Sequence, residues 1–270
     1  GTNRQKGTRK MRHYLGFSLL SRDTHLYAGL RQVATGQSKI PIIIKFLDHL
    51  LALGFELKYV LMDREFYRAE LLDEIKGMGG DVIIPAKNYK TIKRFVKEYL
   101  EGKRGRVSSY TFSSATEARC RFIAHVNLII KAKRGFSLRD VKREYRQGKI
   151  TLKEARYRIF TIMTTQKPRG RESSWASRTS LFYRRRWMIE TGFSDLNRIN
   201  RRWKSNHDGV RYLDMLARML LYNSWKMNKK RLQTPHKKGR SSPNWTLNQN
   251  QDFLRVTFLS DYEKLHGVVG

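Results

Sequence analysis

Apolar and polar positions alternate in two early runs, "MRHYLGFSLLS" (11–21) and "THLYAGLRQV" (24–33), joined by a short polar turn. Period-two alternation predicts strands, and the turn between them predicts a hairpin. The pattern then changes period. "KIPIIIKFLDHLLALGF" places apolar residues at helical spacing, with Pro41 where a first turn tolerates it and Gly54 where a helix ends. "LKYVLMDREF" (57–66) predicts a short buried strand, "YRAELLDEIKGMGG" (67–80) an amphipathic helix, "DVIIPAK" (81–87) a second strand and "YKTIKRFVKEYLEGK" (89–103) another helix. Strand–helix–strand–helix with short connections predicts a parallel α/β arrangement, mixed once the hairpin joins it.

From residue 107 the order breaks. "VSSYTFSS", "ARCRFIAHVNLIIKA" and "RYRIFTIMTTQ" are β-like, and the helical "SLRDVKREYRQGKITLKEA" lies between the last two, with Ser137 and Asp140 as its expected cap. About 105–168 therefore forms an inserted subdomain or sheet extension. Two long helices follow, at about 173–198 and 209–230. Residues 231–250 are basic and turn-rich, a linker, and 251–270 are expected to form a terminal helix.

Composition sharpens this picture. The 270 residues are 40% hydrophobic with 13 Tyr, 13 Phe and 5 Trp, enough for a sizeable core. Fifty-six Lys and Arg against 23 Asp and Glu leave a formal charge of +33. Solubility needs a net charge of only about 2–8 for a small domain, so the excess points to a polyanion, nucleic acid first. A membrane is a weak rival: the longest apolar run, 41–55, is interrupted by Lys45, Asp48 and His49. The one cysteine, Cys120, allows no disulfide within the chain and no Cys-based zinc site; a core thiol and a reducing, cytoplasmic, DNA-associated setting are expected.

Two carboxylates are candidates for chemistry. Asp63 ends a buried strand, at the sheet edge where ligands bind in α/β folds; an oxygen ligand there suits Mg²⁺ or Mn²⁺, while the plainer reading is a helix cap or a pair with Arg64. Glu190 lies in "YRRRWMIETGFSDLN" (183–197). At about 100° per residue, Arg186, Glu190 and Asn197 fall within about 60° of Tyr183, so one helix face would carry a phenol, a guanidinium, a carboxylate and an amide. The plainer reading is an i,i+4 ion pair of Arg186 with Glu190. His207, His125 and His49 get structural readings, since no second ligand sits at metal spacing. Trp187 has two readings, core packing, which is favoured, and stacking on a displaced base.

Together, "LKYVLMDREFYRAELLDEIKGMGGDVIIPAK" and the later "YRRRWMIETGFSDLN" resemble the DDE transposases of insertion sequences, in the group with a Tyr-x2-Arg-x3-Glu-x6-Lys signature. "RRWKSNHDGVRYLDMLARMLLYNSWK" resembles the segment after the catalytic helix. Tyr183, Arg186 and Glu190 match the signature; its Lys position is Asn197, with Arg198 beside it. The resemblance implies an RNase H-like core over residues 1–230. It makes Asp63 and Glu190 catalytic and metal-binding acids of a two-metal site. Tyr183, Arg186, Asn197 and Arg198 become DNA contacts, and Lys204 and Arg211, in the turn after the catalytic helix, are further phosphate candidates. It also implies element ends and target DNA as partners, and homodimers acting on paired ends.

The resemblance further implies a first acid on a first core strand. Asp23, the only acid before residue 48, falls in the hairpin turn and is a poor substitute. The expectation is therefore a transposase lacking its N-terminal part, a weak or inactive nuclease as it stands. The alternative is a non-catalytic DNA-binding remnant or domesticated transposase. An RNA-directed nuclease on the same fold is a third reading.

Overall fold

The computed structural model describes residues 13–21, 24–87, 89–115, 121–198 and 207–232. Asp23, Cys120, Lys204, the linker from 233 on and the expected terminal helix lie outside the described residues. In chain order the elements are β1 (His13–Leu20), β2 (His25–Val33), α1 (Ile40–Ala52), β3 (Tyr59–Leu61), a 3₁₀ turn (Arg64–Phe66), α2 (Ala69–Gly77), β4 (Asp81–Pro85), α3 (Lys90–Glu101), β5 (Val107–Ala115) and β6 (Arg121–Ala132). Then come α4 (Leu138–Arg146), α5 (Leu152–Arg158), β7 (Ile159–Thr164), α6 (Glu172–Arg184), α7 (Arg186–Arg198) and α8 (Asp208–Leu232). The architecture is mixed α/β, and the chain divides into two compact units, residues 38–186 and residues 1–37 with 187–270.

The 38–186 unit is built on a five-stranded sheet in the order β3-β4-β7-β6-β5, with β3 and β4 parallel and the other pairs antiparallel. Alternation along the strands divides the core in two. On one face Ile83, Ile129 and Ile162 bury against Trp175 and Ala176 of α6. On the other, α2 buries Leu71, Leu72 and Ile75, and Tyr67 packs its ring on Phe112 at 4.6 Å. The block after residue 107 thus extends the sheet past β4, and this extension makes the sheet mixed. The hairpin forms a separate two-stranded sheet.

Several boundaries differ from expectation. The strand expected over 57–66 stops at Leu61, because Asp63 turns the chain into the 3₁₀ turn. The helix expected between Ser137 and Ala155 is two helices, parted near Gly148, whose φ of +69° favours glycine. Ser137 stands at the start of α4 without a side-chain cap bond; the capping box belongs to Thr151 and Glu154 at the start of α5. The helix expected over 173–198 divides at Arg185, whose N–H bonds back three residues to Phe182 and tightens the turn. The two halves serve different cores. α6 buries Trp175, Ala176, Thr179 and Ser180, while α7 contributes Leu196 and Phe193 to the hairpin's core.

In the second unit β1 and β2 pair antiparallel with an irregularity between Phe17 and Ser18. Tyr27 and Leu30 of β2 form a core with Leu196 of α7 and Met219 and Tyr222 of α8. Side chains of α8 satisfy the outer edge of β2. Asn223 accepts from the Tyr27 N–H and donates to its carbonyl, both at 2.8 Å, and the Tyr212 hydroxyl donates to the Leu30 carbonyl at 2.9 Å. An edge strand so covered has few groups left to pair with another chain. Gly192 is required where α7 crosses the hairpin: a Cβ there would lie 2.3 Å from His25 Cε1 and 2.8 Å from the Tyr27 hydroxyl.

Candidate active site

β3 runs alongside β4 and carries the chain to Asp63 at its carboxyl end, with the Met62 N–H still bonded to the Ile83 carbonyl at 3.2 Å. Asp63 is extended (φ −82°, ψ 164°), and its Oδ1 accepts from the Arg64 N–H at 2.7 Å. The capping role weighed for this residue is therefore real. It occupies one lone pair of an exposed carboxylate that offers about four, so capping and ligation are compatible. Glu65 next to it is held by Lys39 at 2.9 Å, and the Lys39 ammonium also stands over the Phe66 ring.

α6 brings the aromatic part of the signature to the same region. Leu61, two residues before Asp63, and Tyr183 both pack against the cluster of Ile83, Ile129, Ile162 and Trp175. Tyr59 of β3 stacks on Phe182 with ring centroids 4.6 Å apart, and its hydroxyl accepts from Gln166 Nε2 at 3.2 Å. The Arg186 guanidinium lies 5.7 Å from the Tyr183 ring centroid, and that of Arg185 lies 5.0 Å from Phe182. Tyr183, Arg186 and the strand of Asp63 thus belong to one unit. The break at Arg185 separates Tyr183 from the helix that carries Arg186 and Glu190, so the single continuous face inferred for them is not one helix face.

Glu190 lies in α7, on the exposed side with Trp187 and Ser194, opposite Gly192 and Leu196. Trp187 is 66% exposed, which overturns the core packing favoured for it. Asn197 and Arg198 complete the last turn of α7, and Lys204 lies outside the described residues. The unit boundary falls between Arg186 and Trp187, so Asp63 and Glu190 belong to different units. Among the described residues no three His, Cys, Asp or Glu gather where they could hold a metal ion. The donor chemistry of each carboxylate suits a hard divalent cation, but these donors do not by themselves make a two-metal site.

One basic group was not singled out in the sequence. Burial first, then nearby Arg184 and Arg106, hold the Lys131 ammonium below its ordinary pKa. Arg106 is itself anchored, donating to the Ile130 carbonyl at 2.8 Å. Lys131 of β6, Arg106 just before β5 and Arg184 at the end of α6 come near one another only in the tertiary fold, so residue order carried no signal of them. The histidines keep structural roles: His125 bonds Thr111 at 3.0 Å, and the His207 carbonyl accepts from Arg211 in the first turn of α8.

No helix among the described residues is long and apolar enough to cross a membrane. No curated protein matches the chain. A family model described as the transposase DDE domain matches residues 24–224, a span that includes Asp63, Tyr183, Arg186 and Glu190, and the chain belongs to that family.

Proposed function

We propose that this chain is the catalytic domain of an insertion-sequence transposase in which Asp63 and Glu190 are the metal-binding acids and Tyr183 and Arg186 hold the DNA backbone. The family has a transposase role, acts on DNA and generally uses divalent metal ions. The observation that supports the assignment of Asp63, Tyr183 and Arg186 is local: Asp63 stands exposed at the carboxyl end of β3, Tyr183 packs on the same cluster as Leu61 of that strand, and the Arg186 guanidinium lies over the Tyr183 ring. Arg186 would offset phosphate charge and Tyr183 would donate a hydrogen bond to a phosphate oxygen. Divalent metal, when bound, would supply activation of the attacking hydroxyl and stabilisation of the leaving oxygen.

Two carboxylates hold a metal pair poorly, and no third joins either among the described residues. The 270-residue chain is therefore proposed to bind DNA well and cleave it weakly or not at all. The same observation favours a second reading, a non-catalytic DNA-binding remnant or domesticated transposase. Both predict tight, salt-dependent binding; only the catalytic reading predicts cleavage that depends on Mg²⁺ or Mn²⁺. The test is a cleavage assay on duplex DNA with and without each metal, for the chain and for Asp63→Ala. Slight metal-dependent nicking that Asp63→Ala removes supports a weak catalytic domain. No nicking at all supports the non-catalytic reading. Robust cleavage lost in Asp63→Ala would sink the claim of weak activity. Competition of duplex DNA against RNA distinguishes the nuclease of RNA, which would prefer the latter.

A further inference from the structure

Three cations from distant parts of the chain meet at one end of the five-stranded sheet. Lys131 stands near the end of β6, paired with Phe160 of β7. It lies two residues past Ile129, which buries against Trp175, so alternation puts Lys131 on the face that α6 covers. Arg106 lies opposite the neighbouring Ile130, whose N–H donates to the Arg106 carbonyl at 3.0 Å. The Arg106 guanidinium donates back to the Ile130 carbonyl at 2.8 Å and on to the Ser177 hydroxyl of α6 at 3.4 Å. Arg184 follows seven residues after Ser177, two turns along the same stripe of α6. Lys131 and Arg106 are half-buried and Arg184 is exposed, so the group opens to solvent. Among the described residues no carboxylate forms an ion pair with any of the three; Glu172 acts on Arg106 through its charge alone. The free protein thus holds like charges together without an anion, and this is why the Lys131 ammonium sits below its ordinary pKa.

We infer that Lys131, Arg106 and Arg184 form a seat for a backbone phosphate of DNA, separate from the contacts of Tyr183 and Arg186. The inference rests on the reading that the chain acts on DNA, but it does not require Asp63 or Glu190 to bind metal. A phosphate supplies the negative charge that no side chain brings to the group, and its oxygens accept both the fork of an Arg and the point charge of a Lys. Position favours a DNA strand over a small free anion. β4 is parallel to β3, and β7 is antiparallel to both β4 and β6, so β6 runs in the direction of β3. The carboxyl ends of β3 and β6 therefore lie at the same edge of the sheet, with Asp63 just past one and Lys131 near the other. In the order β3-β4-β7-β6 three strand spacings separate them, about 14 Å across the sheet. A DNA strand carries one phosphate per about 3.4 Å of helix axis, so a duplex lying along this edge sets a phosphate in the seat about four nucleotides from the one beside Asp63.

Such a seat sets stability against binding. Removing the Lys131 charge relieves the free protein and weakens the complex, whereas the loss of a merely structural cation lowers stability. Phosphates carry no sequence information, so the weakening is the same for any duplex.

The test is titration of duplex DNA at stepped salt with the full chain and two double variants. Lys131→Gln with Arg184→Gln should weaken binding by about tenfold and reduce the log–log salt slope by about 1, equally for two unrelated sequences. It should melt no lower than the parent chain. Lys58→Gln with Lys167→Gln removes the same charge from exposed positions at the opposite edge of the sheet, before β3 and after β7, and should leave the slope nearly unchanged. If the parent binds duplex DNA but the two double variants lose affinity and slope alike, the seat is overturned and the DNA-acting reading stands. A parent that binds no duplex overturns that reading and the seat with it. A lower melting point with unchanged affinity marks the cations as structural and also overturns the seat. Amine labelling of the unaltered chain decides the matter if the variant does not fold. A saturating duplex should protect Lys131 from an amine reagent, read by mass spectrometry of its peptide. Unchanged labelling in the complex overturns the proposal, as does equal protection by inorganic phosphate, which would assign the site to a small anion.

Discussion

Trp175 and Trp187 stand on successive helices in opposite surroundings. Trp175 is 2% exposed and fills the face of the sheet between Ile83 and Ile162, whereas Trp187 is 66% exposed. Trp175→Ala is expected to cost about 3–5 kcal/mol in denaturant unfolding, and Trp187→Ala less than about 1 kcal/mol. A loss of DNA affinity in Trp187→Ala without loss of stability would assign that ring to the ligand. His25 makes a second residue-scale prediction. Its ring bonds the Tyr222 hydroxyl at 3.2 Å and the Ser18 hydroxyl at 3.0 Å, and burial, then the charge of Lys226, lowers its pKa from 6.5 to about 4. Between those values the unfolded chain takes up a proton that the folded chain refuses. Stability is therefore full above pH 6.5 and falls as the pH drops toward 4. Thermal melts at stepped pH check this, and His25→Asn should flatten that part of the profile. Gly192 is as constrained. Gly192→Ala drives a methyl into His25 and Tyr27 and is expected to cost about 1–3 kcal/mol by the same unfolding measurement.

At the scale of elements, the periodicities were legible and the breaks were not. The hairpin, α1, α2 and α3 lie where alternation and helical spacing put them, because each has one face to bury, and β4, buried on both faces, is a short apolar run closed by Pro85. α4 and α5 read as one helix, since residues on either side of Gly148 continue a helical pattern. α6 and α7 read as one helix for a different reason. No Pro or Gly stands at Arg185, and the division comes from two helices packing on two cores. The capping box at Thr151 and Glu154 predicts a measurable dependence. Thr151→Ala should cost about 1 kcal/mol in unfolding, while Ser137→Ala, whose side chain caps nothing, should cost little.

For the whole molecule, charge governs. A chain of +33 should bind duplex DNA with a log–log salt slope of several units, measured by titration at stepped salt, and Asp63→Ala should leave that slope unchanged because it removes no cation. Class of partner, sheet-and-helix architecture and the Tyr–Arg–Glu spacing were all readable from residue order, because charge, period and motif are properties of neighbouring positions. The candidate site was only half readable. Asp63 and Tyr183 are far apart in sequence, and they share a region because β3 and α6 bury on the same isoleucine cluster. The exposure of Trp187 and the crossing at Gly192 depend on which helix face finds a core. Helical spacing says that a face is apolar but not what covers it, and that choice is made by packing between elements distant in the chain.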